Sequence, residues 1–172
     1  TPVTTNDGER ERAVSIPAQM RLKGDVRIAS LKSGALQARD IAFALVHERN
    51  VMTLDRVSAD VLGIPVTGAV TLMDPARHPS YEGTLKLSSF SPVSVMQQLG
   101  MTAPVNRDDR VLSSASGSIG FSGDLQHLRL GSRSFRLDDS DISGSLTLKD
   151  FPDPSYGFNL AIDTLDLDRY LP

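Results

Sequence analysis

The side chains of this chain that could do chemistry are few and scattered. His47, His78 and His127 stand at no metal-ligand spacing from an acid, so each reads as a surface or turn residue. The pairs Asp108-Asp109 and Asp138-Asp139 supply carboxylates, the residue type of a general acid and base. Neighbours on a strand point to opposite faces, so these pairs do not converge and read as solvated charges in turns. The stretch DSDISGSLTLKD (139–150) has the spacing of a calcium loop. Asp139, Asp141 and Ser143 fall on its early ligand positions, Gly144 on its turn and Asp150 on its last position. No helices flank it, and the same residues alternate as a strand. The serines of LSSASGS (112–118) also alternate, with no base beside them. No GxSxG, HExxH, phosphate-loop or dinucleotide fingerprint is present. The expectation is a protein that is not an enzyme and uses no metal or cofactor.

Composition narrows the classes further. The 172 residues are 40% hydrophobic and 23% charged, the balance of a folded chain. The net charge is −3 with the signs interspersed, so nucleic acid is not an expected partner. There are no cysteines, which excludes disulfides and thiolate metal sites. No apolar run approaches the roughly 18 residues that span a bilayer. Thr1 is not an initiator Met, and the chain reads as an excised segment of a longer parent, outside which any signal or anchor would lie.

The elements that must position any site read as strands. Gly, any residue, aliphatic, any residue, apolar occurs as GDVRI (24–28), GAVTL (68–72), GTLKL (83–87), GSIGF (117–121) and GSLTL (144–148). Alternation of this kind marks a strand with one buried face. The glycines lie on the apolar face, where they bend the sheet or leave room for an apolar ligand. About ten strands are expected, near 18–29, 35–46, 51–58, 64–73, 81–88, 114–122, 127–130, 134–138, 141–149 and 156–163. The apolar parity slips between Leu36 and Ile41 and between Leu54 and Val57, which predicts bulges or turns there. One helix is signalled, with Ser91 as N-cap, Pro92 at its first position and Gly100 past its end. Residues 101–112 read as a loop, and Asp168 starts a single helical turn in the tail. Residues 1–16 read as a charged linker and 17–172 as one β-rich domain. The fold class is mainly β: a long curved antiparallel sheet, an open groove or half-barrel, repeat-like, with one short helix near 91–99.

A repeat underlies the strands. TGAVTLMDPARHPSY (67–81) and SGSLTLKDFPDPSY (143–156) align with one gap, so Gly68 falls on Gly144 and Tyr81 on Tyr156. Residues 64–88 and 141–163 are therefore expected to form equivalent strand–turn–strand units. Pro79 and Pro154 belong in matching turns, because Pro cannot donate to a ladder. Tyr81 and Tyr156 then start the return strands on the apolar face.

With a single short helix to cover about ten one-faced strands, the apolar face needs another partner. Its candidate lipid contacts are Val66, Val70, Leu72, Leu85, Leu87, Leu146, Leu148, Phe158, Leu160 and Ile162. Two readings stay open. In one the face holds acyl chains; in the other the sheet is a self-packed scaffold whose edges pair with partners.

LRLGSRSFRLDDSDISGSLTLKDFPDPSYGFNLAIDTLDLDRYLP (128–172) resembles the AsmA family of bacterial envelope proteins. LDDS-x-(I/L)-x-G at 137–144 and LDLDRYLP at 165–172 carry most of the likeness, and residues 51–100 are also similar to that family. The resemblance implies an internal periplasmic segment of a parent anchored in the inner membrane. It further implies a β-rich groove for phospholipid transport between the inner and outer membranes and for outer-membrane biogenesis. The implied partners are phospholipid acyl chains, the remaining parts of the parent protein and envelope proteins. The alternative is a scaffold that assists outer-membrane protein assembly.

Overall fold

Period-two alternation resolves into nine antiparallel strands, each hydrogen-bonded to the next in the chain. The computed structural model describes residues 21–104, 108, 110–150 and 155–170. The linker expected at 1–16 and the turn expected at Pro154 lie outside the described residues. The strands are β1 (Leu22–Ser33), β2 (Leu36–Glu48), β3 (Val51–Val61), β4 (Ile64–Met73), β5 (Ser80–Phe90), β6 (Ala115–Asp124), β7 (His127–Leu137), β8 (Ser140–Lys149) and β9 (Ser155–Ile162). They form one open sheet in simple chain order, so every pairing is local. Its edges, β1 and β9, do not meet.

Nine strands replace the ten expected, because 127–130 and 134–138 are halves of β7. The register between β7 and β8 shifts between Ser132 and Phe135. This bulge resets the side-chain parity, which in the sequence looks like a break. The two parity slips read from the sequence are also bulges. Register shifts flank Asp40 between β2 and β3, and Arg56 between β3 and β4, and both residues have positive φ.

Tight turns fix the register. Arg49-Asn50 joins β2 to β3 and Leu62-Gly63 joins β3 to β4. All four residues have positive φ, the requirement of a type I′ hairpin turn, whose twist matches that of the flanking strands. The longer β5–β6 connection holds helix α1 (Pro92–Gln98). The Ser91 hydroxyl accepts the Ser94 N–H at 3.3 Å, Pro92 opens the helix, and Gly100 at φ +72° lies past its end. Gln98 Nε2 donates to the Leu62 carbonyl at 3.2 Å and ties α1 to the β3–β4 turn. The tail makes a helical turn, α2 (Leu167–Tyr170), which starts one residue before Asp168.

The repeat is wider than two strands. β7 and β8 lie 76 residues beyond β3 and β4 at both ends. Met52, Leu54, Ala59 and Val61 oppose Leu72, Val70, Val66 and Ile64. The residues 76 positions on, Leu128, Leu130, Phe135 and Leu137, oppose Leu148, Leu146, Ile142 and Ser140. Leu72 pairs with Tyr81 as Leu148 pairs with Tyr156, and Gly68 pairs with Leu85 as Gly144 pairs with Leu160. Both tyrosines therefore share the apolar face. Asp74 and Asp150, each at positive φ, donate their N–H groups to the Asn50 and Gln126 carbonyls at 2.8 Å. Four strands and a short helix thus recur, β2–β5 with α1 and β6–β9 with α2.

Among the described residues no conventional core forms. Val66, Val111 and Ala115 are the buried apolar side chains. Large apolar residues remain exposed along the sheet, including Leu31, Leu146, Phe158 and Leu160.

Candidate functional site

Antiparallel partners share a face, so the register assigns every strand residue to one side. From Val66↔Leu87, Val70↔Gly83 and Leu72↔Tyr81 through Leu146↔Phe158, Gly144↔Leu160 and Ile142↔Ile162, one side is apolar across the whole sheet. Val66, Val70, Leu72, Leu85, Leu87, Leu146, Leu148, Phe158, Leu160 and Ile162 all lie on it. The opposite face carries mainly Ser, Thr, Asp, Lys, Arg and Glu, with Ala42, Ala44 and Val46 of β2 among its apolar exceptions.

A trough of about 320 Å³ runs along the apolar face over β6–β9. Leu146, Phe158 and Leu160 line it with Ile119, Leu130, Phe135 and Ile142. The last four were not among the candidates, although Ile119 and Ile142 sit in the same alternation as their neighbours; Phe135 lies beyond the bulge in β7. The other candidates share the face but lie outside this trough. Val66 is only 7% exposed, at the sheet end that carries α1, and is therefore buried rather than part of an open contact surface. Phe158 at 80% and Leu160 at 58% exposure are the most open of the candidates. A larger hollow of about 800 Å³ lies mainly over polar-face residues, among them Thr71, Glu82, Ser122 and Arg129. Its lining is mostly Ser, Thr, Gly and Arg, with Phe121 and Leu130 as its large apolar side chains. A twisted sheet is saddle-shaped, which lets both faces be concave.

The apolar-face glycines serve close approach rather than ligand room. A Cβ on Gly83 would sit 2.6 Å from the Phe121 ring, and one on Gly117 would sit 2.8 Å from Phe135. On Gly68 and Gly144 it would collide with the Thr84 and Asn159 carbonyl oxygens. Gly24 differs, with open space above it.

At one rim the β7–β8 turn, the β5–β6 connection and the tail meet. Asp138, at φ 51° in the β7–β8 turn, accepts N–H bonds from Leu112 (2.7 Å), Ser113 (3.0 Å) and Ser114 (3.0 Å). The Tyr170 hydroxyl donates to it at 3.0 Å. Arg169 donates to Asp108 at 2.8 Å and to Asp139 at 3.1 Å. Ser140 Oγ donates to the Thr164 carbonyl at 2.6 Å. Burial alone would raise the Asp138 carboxyl, but the Ser114 and Leu112 N–H groups, Tyr170 and Ser113 outweigh it and hold it below its ordinary value. Burial, then the bond to Asp138, pushes the Tyr170 phenol up. Asp138 is therefore an anchor and not a solvated charge. Its signal was LDDS, because Asp tolerates positive φ and bonds nearby backbone N–H groups.

The remaining chemistry-bearing residues do not converge. Asp141 and Ser143 run along β8 and Asp139 pairs with Arg169, so the calcium-loop spacing is laid out on a strand rather than wrapped round a point. His127 bonds Asp124 at 3.0 Å across the β6–β7 turn, and His78 is exposed. His47 departs from the surface reading: strand parity turns it onto the apolar face opposite Leu22 and Met52, and it is 4% exposed. Asp109 lies outside the described residues. Compared with known protein families, characterised proteins and solved structures, the chain matches none.

Proposed function

We propose that this chain is a non-enzymatic groove segment of an AsmA-like envelope protein. Its apolar face guides phospholipid acyl chains between the inner and outer membranes. The observation that carries the reading is the uncovered apolar face, continuous over nine strands and hollowed into a trough beside Leu146, Phe158 and Leu160. Apolar patches larger than a few hundred Å² on a soluble surface mark ligand or membrane sites. Acyl chains bind such a face by burial alone, at about 0.8 kcal/mol per CH₂. No specific polar site is needed, which fits the scattered chemistry of the side chains. Localisation follows from the family likeness: periplasmic, in a parent anchored in the inner membrane.

The test is a photocrosslinker at Leu160 in the parent protein in living cells. The expected adduct is phospholipid, and Phe158→Asp should remove it while the sheet persists. Adducts with protein alone would leave the scaffold reading in place.

A further inference from the structure

We infer that the free edge of β9 is a docking site for an extended polypeptide strand of the kind formed by β2 and β6, paired antiparallel in a fixed register. This concerns the sheet edge and goes beyond the lipid reading of the face.

The fold itself shows twice what covers a strand in this position. β1 is covered by β2, with Leu22, Gly24, Val26 and Ile28 opposite His47, Leu45, Phe43 and Ile41. β5 is covered by β6, with Tyr81, Gly83, Leu85 and Leu87 opposite Gly123, Phe121, Ile119 and Gly117. Each of these β6 residues lies 76 positions beyond its β2 counterpart, so the two pairings have one register. β9 is the third strand of the series, with Tyr156, Phe158, Leu160 and Ile162 at the places of Tyr81, Gly83, Leu85 and Leu87. Among the described residues β9 pairs with β8 alone, and Tyr156, Phe158 and Leu160 are exposed.

The two edges of the sheet differ in a way that singles out β9. β1 carries Lys23, Asp25, Arg27 and Lys32, charges that discourage edge-to-edge pairing. β9, SYGFNLAI, carries none. The backbone is also aimed correctly. The Asn159 carbonyl abuts Gly144 of β8, so Asn159 bonds inward. In an antiparallel ladder successive residues bond to opposite sides. Tyr156, Phe158 and Leu160 therefore present their N–H and C=O groups outward. The partner is an alternating strand, as β2 and β6 are, with apolar side chains opposite Phe158 and Leu160.

The probe is a synthetic peptide of residues 114–124, SASGSIGFSGD, added to the intact chain. Amide hydrogen exchange is read residue by residue. The expected result is at least tenfold slower exchange at Tyr156, Phe158 and Leu160, with the β1 edge unchanged. Leu160→Pro removes an outward donor and should abolish the protection, whereas Leu160→Ala keeps the donor and should retain it. Phe158→Pro repeats the test at a second outward position, and unchanged β8 amides confirm that each variant is folded. No protection at β9, or equal protection in the Pro and Ala variants, overturns the inference. So does β9 protection in the peptide-free chain that grows with protein concentration, since a second copy would then hold the edge. Lipid capture at Leu160 is measured without peptide, so this inference and the groove reading fail separately.

Discussion

Asp138→Asn isolates the rim clasp. One carboxylate oxygen accepts the Ser113 and Ser114 N–H groups and the other accepts the Leu112 N–H and the Tyr170 hydroxyl. An amide keeps one oxygen. Its best orientation leaves that oxygen on Ser113 and Ser114 and turns the NH₂ toward Leu112, donor against donor at 2.7 Å. The Tyr170 hydroxyl rotates to accept. Asn tolerates positive φ as Asp does, so backbone strain does not enter. The loss is one charge-assisted bond, worth roughly 1.5–3 kcal/mol, reduced because the carboxyl is only partly buried. We expect about 1.5 kcal/mol in urea unfolding, or about 3–6 °C in Tm for a chain of this length. The pH dependence supplies the control. The folded carboxyl titrates below its ordinary value of 3.8, so its stabilisation is complete above that value and is lost as pH falls through the lower folded one. The gap between wild type and variant should therefore close in strong acid. A variant as stable as wild type at pH 7, or a gap that persists unchanged in strong acid, refutes this account of the rim.

Three further outcomes are expected. Gly144→Leu should cost about 3 kcal/mol or more, because its Cβ collides with the β9 backbone; chemical denaturation measures it, and a neutral result would mean that the strands do not approach so closely. Phe158→Asp should change stability by less than about 0.5 kcal/mol in the same assay, since the side chain is 80% exposed. Tyr170→Phe should match wild type in strong base. The folded phenol titrates above its ordinary value of 10.0, so its contribution is present below that value and is lost as pH rises past the folded one; thermal melts at pH 8 and at higher pH compare the two.

The strand pattern was legible because each strand has one apolar side, and alternation survives without knowledge of the partner. Ser91, Pro92 and Gly100 likewise announced α1 through local capping chemistry. β7 was split because a bulge at 132–134 erases the parity on which the reading depends. The repeat was visible in β4–β5 and β8–β9, where Pro-Ser-Tyr and Gly68/Gly144 recur, and hidden in β3 and β7, where register is kept while identities change. The face of the ten candidates was legible for the same reason as the strands. Their exposure was not, since Val66 and Leu160 look alike in sequence and differ by their place relative to the sheet end. His47 was misplaced because type was weighed ahead of parity. Asp138 was misplaced because its partners, at 112–114 and 170, are distant in the chain.

With Val66, Val111 and Ala115 the buried apolar side chains among the described residues, the sheet does not owe its shape to a core in the usual way. What holds it is local: inverse turns, ladders between consecutive strands, and side chains half-covered by their cross-strand neighbours. Where strands cross the interlocks, Phe121 lies over Gly83 and Phe135 over Gly117, so backbone spacing is set by shape rather than by a second layer. At the rim, Asp138, Arg169 and Tyr170 fasten the β5–β6 connection and the tail to the β7–β8 turn. This reverses the usual tolerance of a protein to substitution. Apolar-to-polar changes on the open face should cost little, whereas changes to Gly68, Gly83, Gly117, Gly144 and the rim acids should cost much. On the proposed groove reading, stability concentrated in rim and ladder is what leaves the apolar face free to exchange acyl chains. Nearest-neighbour stability of this kind also suits a repeated unit, in which each added set of four strands extends the face without altering what holds the last one.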